Sequence, residues 1–246
     1  MQIIQDVGNA LILFLQALAR FRLARADFQR VGMQIVEIGN ASLVMVSIMA
    51  VFIGGVLTLQ AGPELAKFGL ASSLGAIVGV GMVKELGPVM IAILITGRVG
   101  SAMAAELAAM RVYQEVDALE TMNIDPIRFL VTPRLLATIL TLPILTLYGD
   151  VVGWAGGAFV AMINGKVAVP WEVFFRYLRD NVDFKDVMDG LYKSMAFSCI
   201  IAITCCFVGM RTRGGPREIG YSVTTAVVSS IVLILIFDYI ITRILL

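Results

Sequence analysis

Along this chain the apolar residues come in long unbroken runs, separated by short polar turns. Crossing the hydrocarbon of a bilayer takes about 20 apolar residues in a helix. Five runs reach that order of length: 38–61, 68–97, 135–162, 192–210 and 221–246. The pattern predicts an all-α integral membrane protein, one domain over 1–246, with about five transmembrane helices. The first run is uncharged and contains Gly54-Gly55, and the polar stretch AGPELAKFG turns the chain into the second. Gly87-Pro88 sits past the middle of that second run. Proline removes a backbone donor and crowds the preceding turn, so a kink or break is expected there. Pro143 lies inside the third run, and Asn164-Gly165 turns the chain after it.

Three further segments have a helical pattern but too many polar residues to cross. Residues 1–30 are the first. Within 5–25, Leu11, Phe14, Leu15, Leu18 and Phe21 make one face, and Asn9, Gln16 and Arg20 lie off it. That is the pattern of an interfacial amphipathic helix. Asp6 precedes its apolar part and Arg20, Arg22, Arg25 and Arg30 follow it, the reverse of a secretory signal. Residues 101–122 are built on alanine and other good helix formers. Glu106, Arg111, Glu115, Asp117 and Glu120 make this helix water-facing, with Arg111 and Glu115 one turn apart. Asp125-Pro126 and Thr132-Pro133 each read as a cap followed by proline at the first helical position. Residues 166–190 are mixed, and Trp171, Phe174, Phe175 and Tyr177 suggest a second interfacial helix.

Charge orients these elements. If the five runs alternate in direction, Arg20, Arg22, Arg25, Arg30, Arg98, Arg111, Arg128, Arg134, Arg211, Arg213 and Arg217 all fall on one side. The other side has Lys67, Lys166, Arg176, Arg179 and Lys185. The positive-inside bias therefore places the amino terminus and helix 101–122 in the cytoplasm and the carboxyl terminus outside.

Composition narrows the chemistry. Charged residues make up 15 % of the chain, against about 25 % in soluble proteins, and the mean hydropathy is +0.90. The net charge of +1 argues against bulk nucleic-acid binding. Histidine is absent, which removes the commonest zinc ligand and proton shuttle. Cys199, Cys205 and Cys206 share one apolar run without zinc spacing and read as small packing residues. No G-x-x-x-x-G-K-[ST] occurs, so any ATP used is bound by a partner. The acidic run Asp180, Asp183, Asp186 and Asp189, interleaved with Arg179 and Lys185, reads as a solvated face rather than a divalent-cation site. Gly75 and Gly79, and Gly153, Gly156 and Gly157, have the small-residue spacing that lets membrane helices approach closely.

The costly residues are the charges inside the runs: Lys84, Glu85, Asp150, Lys193 and Asp238. Each central charge costs roughly 2.5–3.5 kcal/mol in a spanning helix. Four of them unpaired would cost on the order of 10 kcal/mol, comparable to the stability of a whole domain. Lys84, Glu85, Lys193 and Asp238 balance in sign and can pair off fully. Asp150, near the outer end of its run, reads as snorkelling or water-facing. The four balanced charges suit either a structural network or a polar gate on a translocation route.

The stretches LTLQAG, KELGPVMIAILITGRVGSAMAAELAAMRV, ALETMNIDPIRFLVTPR, YKSMAF and FDYIIT resemble the MlaE/YrbE family of ABC-transporter permeases, over essentially the whole chain beyond the first 30 or so residues. The resemblance implies a homodimeric permease in the bacterial inner membrane that moves phospholipid and maintains outer-membrane lipid asymmetry. It implies a cytoplasmic ABC ATPase dimer, a periplasmic MCE-domain hexamer and, in some systems, a STAS-domain protein bound to the ATPase. This chain would be no enzyme and carry no cofactor, with ATP and Mg held by the ATPase. Helix 101–122, with Glu106, Arg111, Glu115, Asp117 and Glu120, would be the coupling helix. Lys84, Glu85, Lys193 and Asp238 would form the intramembrane polar cluster, with lysine at 84 where some relatives have arginine. Val51, Phe52, Gly55, Leu59, Gln60, Leu70 and Leu74 would line the lipid cavity. Two alternatives to this function stay open: a proton-coupled secondary transporter using the same cluster, and a non-transporting membrane anchor for an MCE protein.

Overall fold

The computed structural model describes residues 2–19, 25–165 and 167–245, and every regular element among them is helical. Arg20, Phe21, Arg22 and Lys166, used above in the face and charge patterns, lie outside the described residues. Helix α1 is Gln2–Ala19 and α2 is Arg25–Lys67. A continuous helical run, α3, covers Ala71–Val112, and α4 covers Glu115–Thr121. Then come α5, Ile127–Ile163, α6, Trp171–Asn181, α7, Phe184–Arg211, and α8, Pro216–Leu245. Five of these, α2, α3, α5, α7 and α8, are long and apolar enough to cross a membrane. The protein is an all-α integral membrane protein.

Several boundaries differ from the sequence pattern for local reasons. The stretch expected to turn after residue 61 stays helical through Pro63 to Lys67. It closes in a Schellman arrangement: Leu70 N–H donates to Leu65 O at 2.9 Å and Gly69 N–H to Ala66 O at 3.1 Å. Gly69 has φ +69, which glycine adopts without strain. The chain also does not break at Gly87-Pro88. A π-turn at Met82–Leu86 widens the helix just before the proline, and the run continues through a second π-turn at Thr96–Gly100.

The expected helix 101–122 is two helices. Its first half, Ser101–Val112, continues the helical run of the second span. Gln114, at φ +61, then reverses the chain into α4. Because of that turn Arg111 pairs with Asp117 at 2.5 Å rather than with Glu115. The first half is also only partly water-facing: Met103, Ala104, Leu107 and Ala108 are buried.

Glycine decides how closely the spans approach. A Cβ on Gly54 would lie 1.9 Å from the Gly153 carbonyl oxygen, and one on Gly156 would meet the Val51 backbone at 2.7 Å. Helices α2 and α5 thus touch backbone to backbone, as small-residue seams allow. At the end of the bundle where α6 lies, Gly75 packs on the Phe174 carbonyl, beside a core of Leu74, Val78, Met82, Phe174 and Leu178. Midway lies a core of Val46, Ile91, Ile95, Leu142, Phe197, Ile201 and Ile234. Toward the opposite end, Leu107, Val116, Leu130, Leu135 and Cys206 form a third core. Leu13, Phe14 and Ala17 of α1 pack against that third core, while Leu11 and Leu15 stay exposed.

Candidate functional site

The proline in α3 creates the centre of the site. Pro88 has no N–H, so the carbonyl of Lys84, four residues back, loses its helical donor. Lys193, on α7, supplies the replacement: its ammonium donates to Lys84 O at 2.9 Å. The same ammonium donates to Glu85 Oε2 at 2.8 Å and ion-pairs with Asp238 Oδ1 of α8 at 3.1 Å. Two oxygens of α3 therefore accept from one buried lysine, whose residue exposure is 2 %, and the Asp238 carboxylate of α8 adds an ionic contact to the same ammonium. Thr242 donates to the second Glu85 oxygen at 3.4 Å. A close approach of α7 makes this possible, since Gly190, three residues before Lys193, packs directly on the Val83 carbonyl.

Lys84 does not join this group through its side chain. Its ammonium reaches Asp186 at 2.7 Å instead, so the four charges singled out in the sequence do not pair off among themselves. Asp186 is 8 % exposed and also caps α7: Asp183 and Asp186 form a reciprocal capping box at its start. The acidic run is thus not uniformly a solvated face. The signal for Asp186 was present in the Asp183-x-x-Asp186 spacing just before an apolar run. Together the five side chains carry two positive and three negative charges, and Lys84, Glu85 and Lys193 border a cavity of about 40 Å³ shared with Asp189 and Thr242.

Asp150 is neither snorkelling nor water-facing. It is 3 % exposed, its Oδ1 lies against Gly87, and that oxygen has no hydrogen-bond partner among the described residues. A neighbouring span explains the difference: α3 passes against this face of α5 at Gly87, so close that a Cβ there would meet Asp150 Oδ1.

A second polar group joins α2, α3 and α5 nearer the opposite end. Arg134, 9 % exposed, donates to Glu106 Oε2 at 2.8 Å, and Arg98 donates to Ser42 Oγ at 2.9 Å. Both arginines border a cavity of about 170 Å³ with Gln34 and Glu37. Ser42 was invisible in the sequence because an isolated serine in an apolar run carries no spacing signal.

Of the residues expected to line a lipid cavity, Val51, Phe52, Leu59, Gln60 and Leu70 are exposed. Leu74 is fully buried beside Phe174 and Gly55 is buried near Val160, so neither presents surface to a ligand in this chain. Glu106, Glu115, Asp117 and Glu120 are exposed and Arg111 is half-buried. Among the described residues no group of His, Cys, Asp and Glu is arranged to hold a metal ion.

Five apolar spans with a paired charge cluster inside them define a polytopic membrane protein. The family profile described as Permease MlaE matches residues 31–244. A probable ABC transporter permease protein of Rickettsia typhi is 40 % identical over 214 residues, 86 % of this chain and 81 % of that protein. One from Synechocystis is 39 % identical over 202 residues, covering 82 % and 76 %. A third, from Porphyra purpurea, is 33 % identical over 226 residues, covering 92 % and 85 %. The chain belongs to the MlaE permease family and is an ABC transporter permease, a class that works with a separate ATPase.

Proposed function

We propose that this permease moves phospholipid between the inner membrane and a periplasmic MCE-protein channel, as a homodimer powered by its ATPase. The observation that carries this reading is the surface of α2. Val44, Ile48, Val51, Phe52, Val56 and Leu59 are each 40–68 % exposed along an uncharged stretch of helix. Acyl chains need such a wall, because apolar burial gains about 25 cal/mol per Å². Gln60 and Leu70 extend it toward the end where α6 lies. The Lys193-centred cluster sits in the same half of the bundle and serves as a polar gate or headgroup contact beside the apolar wall.

In this reading the arginine-rich side is cytoplasmic, with α1 at that interface and the end of α8 on the periplasmic side. Ser101–Val112 and α4 form the element that meets the ATPase. ATP binding and hydrolysis there shift the permease between two states with different affinity for lipid. The Arg134–Glu106 pair ties this element to α5. A STAS-domain protein would act through the ATPase.

The test is lipid transfer by the reconstituted permease–ATPase–MCE assembly. Leu59→Asp stops transfer while the complex still forms; unchanged transfer removes this wall from the route. An ATPase-dead partner also stops transfer, whereas a proton-coupled carrier would continue and a passive anchor would transfer nothing in any form.

A further inference from the structure

The turn joining α7 to α8 has the sequence Arg211-Thr212-Arg213-Gly214-Gly215-Pro216-Arg217-Glu218, three arginines against one carboxylate. The Arg213 and Arg217 guanidinium groups and the Glu218 carboxylate take part in no ion pair among the described residues. Arg211 stacks over the Phe207 ring at 5.1 Å. Beside them opens a cavity of about 360 Å³ whose charged and polar lining is Arg211, Arg213, Glu218, Tyr221, Ser222 and Thr225, two arginines against one carboxylate. Its floor is polar and built: Thr212 donates to Ser222 Oγ at 2.8 Å, and both residues are buried, at 5 % and 8 % exposure.

We propose that this cavity binds the phosphate-bearing headgroup of an anionic phospholipid from the adjoining leaflet, as a resident lipid separate from any transported one. Position selects the source of the phosphate. The cavity lies where two apolar spans end, and Tyr221, 72 % exposed, stands at its rim, the placement of an interfacial aromatic residue. Arginines clustered between spans at a membrane face are suited to anionic headgroups, with the acyl chains lying along Phe207 and Val208. A bound lipid would brace the α7–α8 turn, whose Gly214 sits at φ +114, and so hold the far ends of the two helices that carry Lys193 and Asp238.

The test is native mass spectrometry of the full-length permease with its ATPase. It is titrated with dioleoylphosphatidylglycerol, with tail-matched dioleoylphosphatidylcholine and with inorganic phosphate. The wild type retains phosphatidylglycerol in preference to phosphatidylcholine, and excess inorganic phosphate does not displace it. R211Q/R213Q lowers that retention roughly thirtyfold, as expected from losing two interfacial arginines, while R211K/R213K keeps most of it. The transport reading is judged on transfer by Leu59→Asp and this site on phosphatidylglycerol retention by R211Q/R213Q, so the two failures are separately visible. Equal retention by R211Q/R213Q and the wild type overturns the proposal. Displacement by inorganic phosphate also overturns it, by making the site one for a soluble anion. Loss of the ATPase rather than of lipid from R211Q/R213Q assigns the arginines to a protein contact and overturns it equally.

Discussion

Lys193 Nζ lies 2.8 Å from Glu85 Oε2, joining α7 to α3 inside the membrane through an ammonium that is almost fully buried. Removing one partner of such a pair leaves uncompensated charge and typically costs about 3–5 kcal/mol. Lys193→Ala should fall near the lower end, about 3 kcal/mol, because the Glu85 side chain keeps 44 % exposure. Adding Glu85→Gln and Asp238→Asn to the same chain should recover part of the loss. Thermal unfolding of the three proteins checks this; a K193A protein as stable as the wild type would show that the cluster does not hold the spans together.

Glu85→Ala separates structure from transport. Its carboxylate is the more exposed arm of the cluster, so the purified permease should still assemble with its ATPase while lipid transfer falls. Native mass spectrometry and a transfer assay on one preparation decide it. Loss of the assembled complex would make the cluster structural.

Asp186 has two jobs and Asp183 one. Asp183→Asn retains a good N-cap and should change stability by only a few tenths of a kcal/mol. Asp186→Asn weakens the capping box and leaves Lys84 without its 2.7 Å partner, so it should lower the melting temperature clearly more. Equal effects would mean that the Lys84 pair contributes nothing.

Gly54→Ala puts a Cβ 1.9 Å from the Gly153 carbonyl. Backbone cannot move aside as a flexible side chain can, so the cost should reach about 1–3 kcal/mol or more. Gly220→Ala is the matched control in α8, with nothing within 4 Å of the added atom, and it should stabilise by roughly 0.5–1 kcal/mol. Melting curves that rank the two variants the other way would refute the backbone seam between α2 and α5.

Glu106→Gln tests the link between the ATPase-facing element and α5. The Glu106 side chain is 56 % exposed, so the pair should contribute only about 0–1 kcal/mol to stability. Transfer per ATP hydrolysed should nevertheless fall, because Arg134 no longer holds α3 by a charged contact. An unchanged ratio of transfer to hydrolysis would remove this pair from the coupling route.

The class of fold was legible because lipid is an unforgiving solvent. Spanning helices must be long, apolar and internally hydrogen-bonded, and that requirement appears in the sequence as five runs. The identity of the charged residues was legible for the same reason, since each one stands out against an apolar background. Their partners were less so. Lys84 and Glu85 are adjacent, yet their side chains pair with different residues of α7, Asp186 and Lys193, and no spacing along one helix shows which residue of another helix will face it.

The sequence by itself determined the five spans, the polar turns between them and the set of charges that had to find partners, because hydrophobicity and length act locally. Tertiary structure decided the rest. Asp150 became a buried group rather than a snorkelling one, Leu74 and Gly55 were taken into helix contacts, and helix 101–122 was divided between the end of a span and a separate turn of helix. Each of these depends on where a neighbouring helix passes, and in this bundle that is set by backbone contact at glycine and by the π-turn that lets α3 run past Pro88.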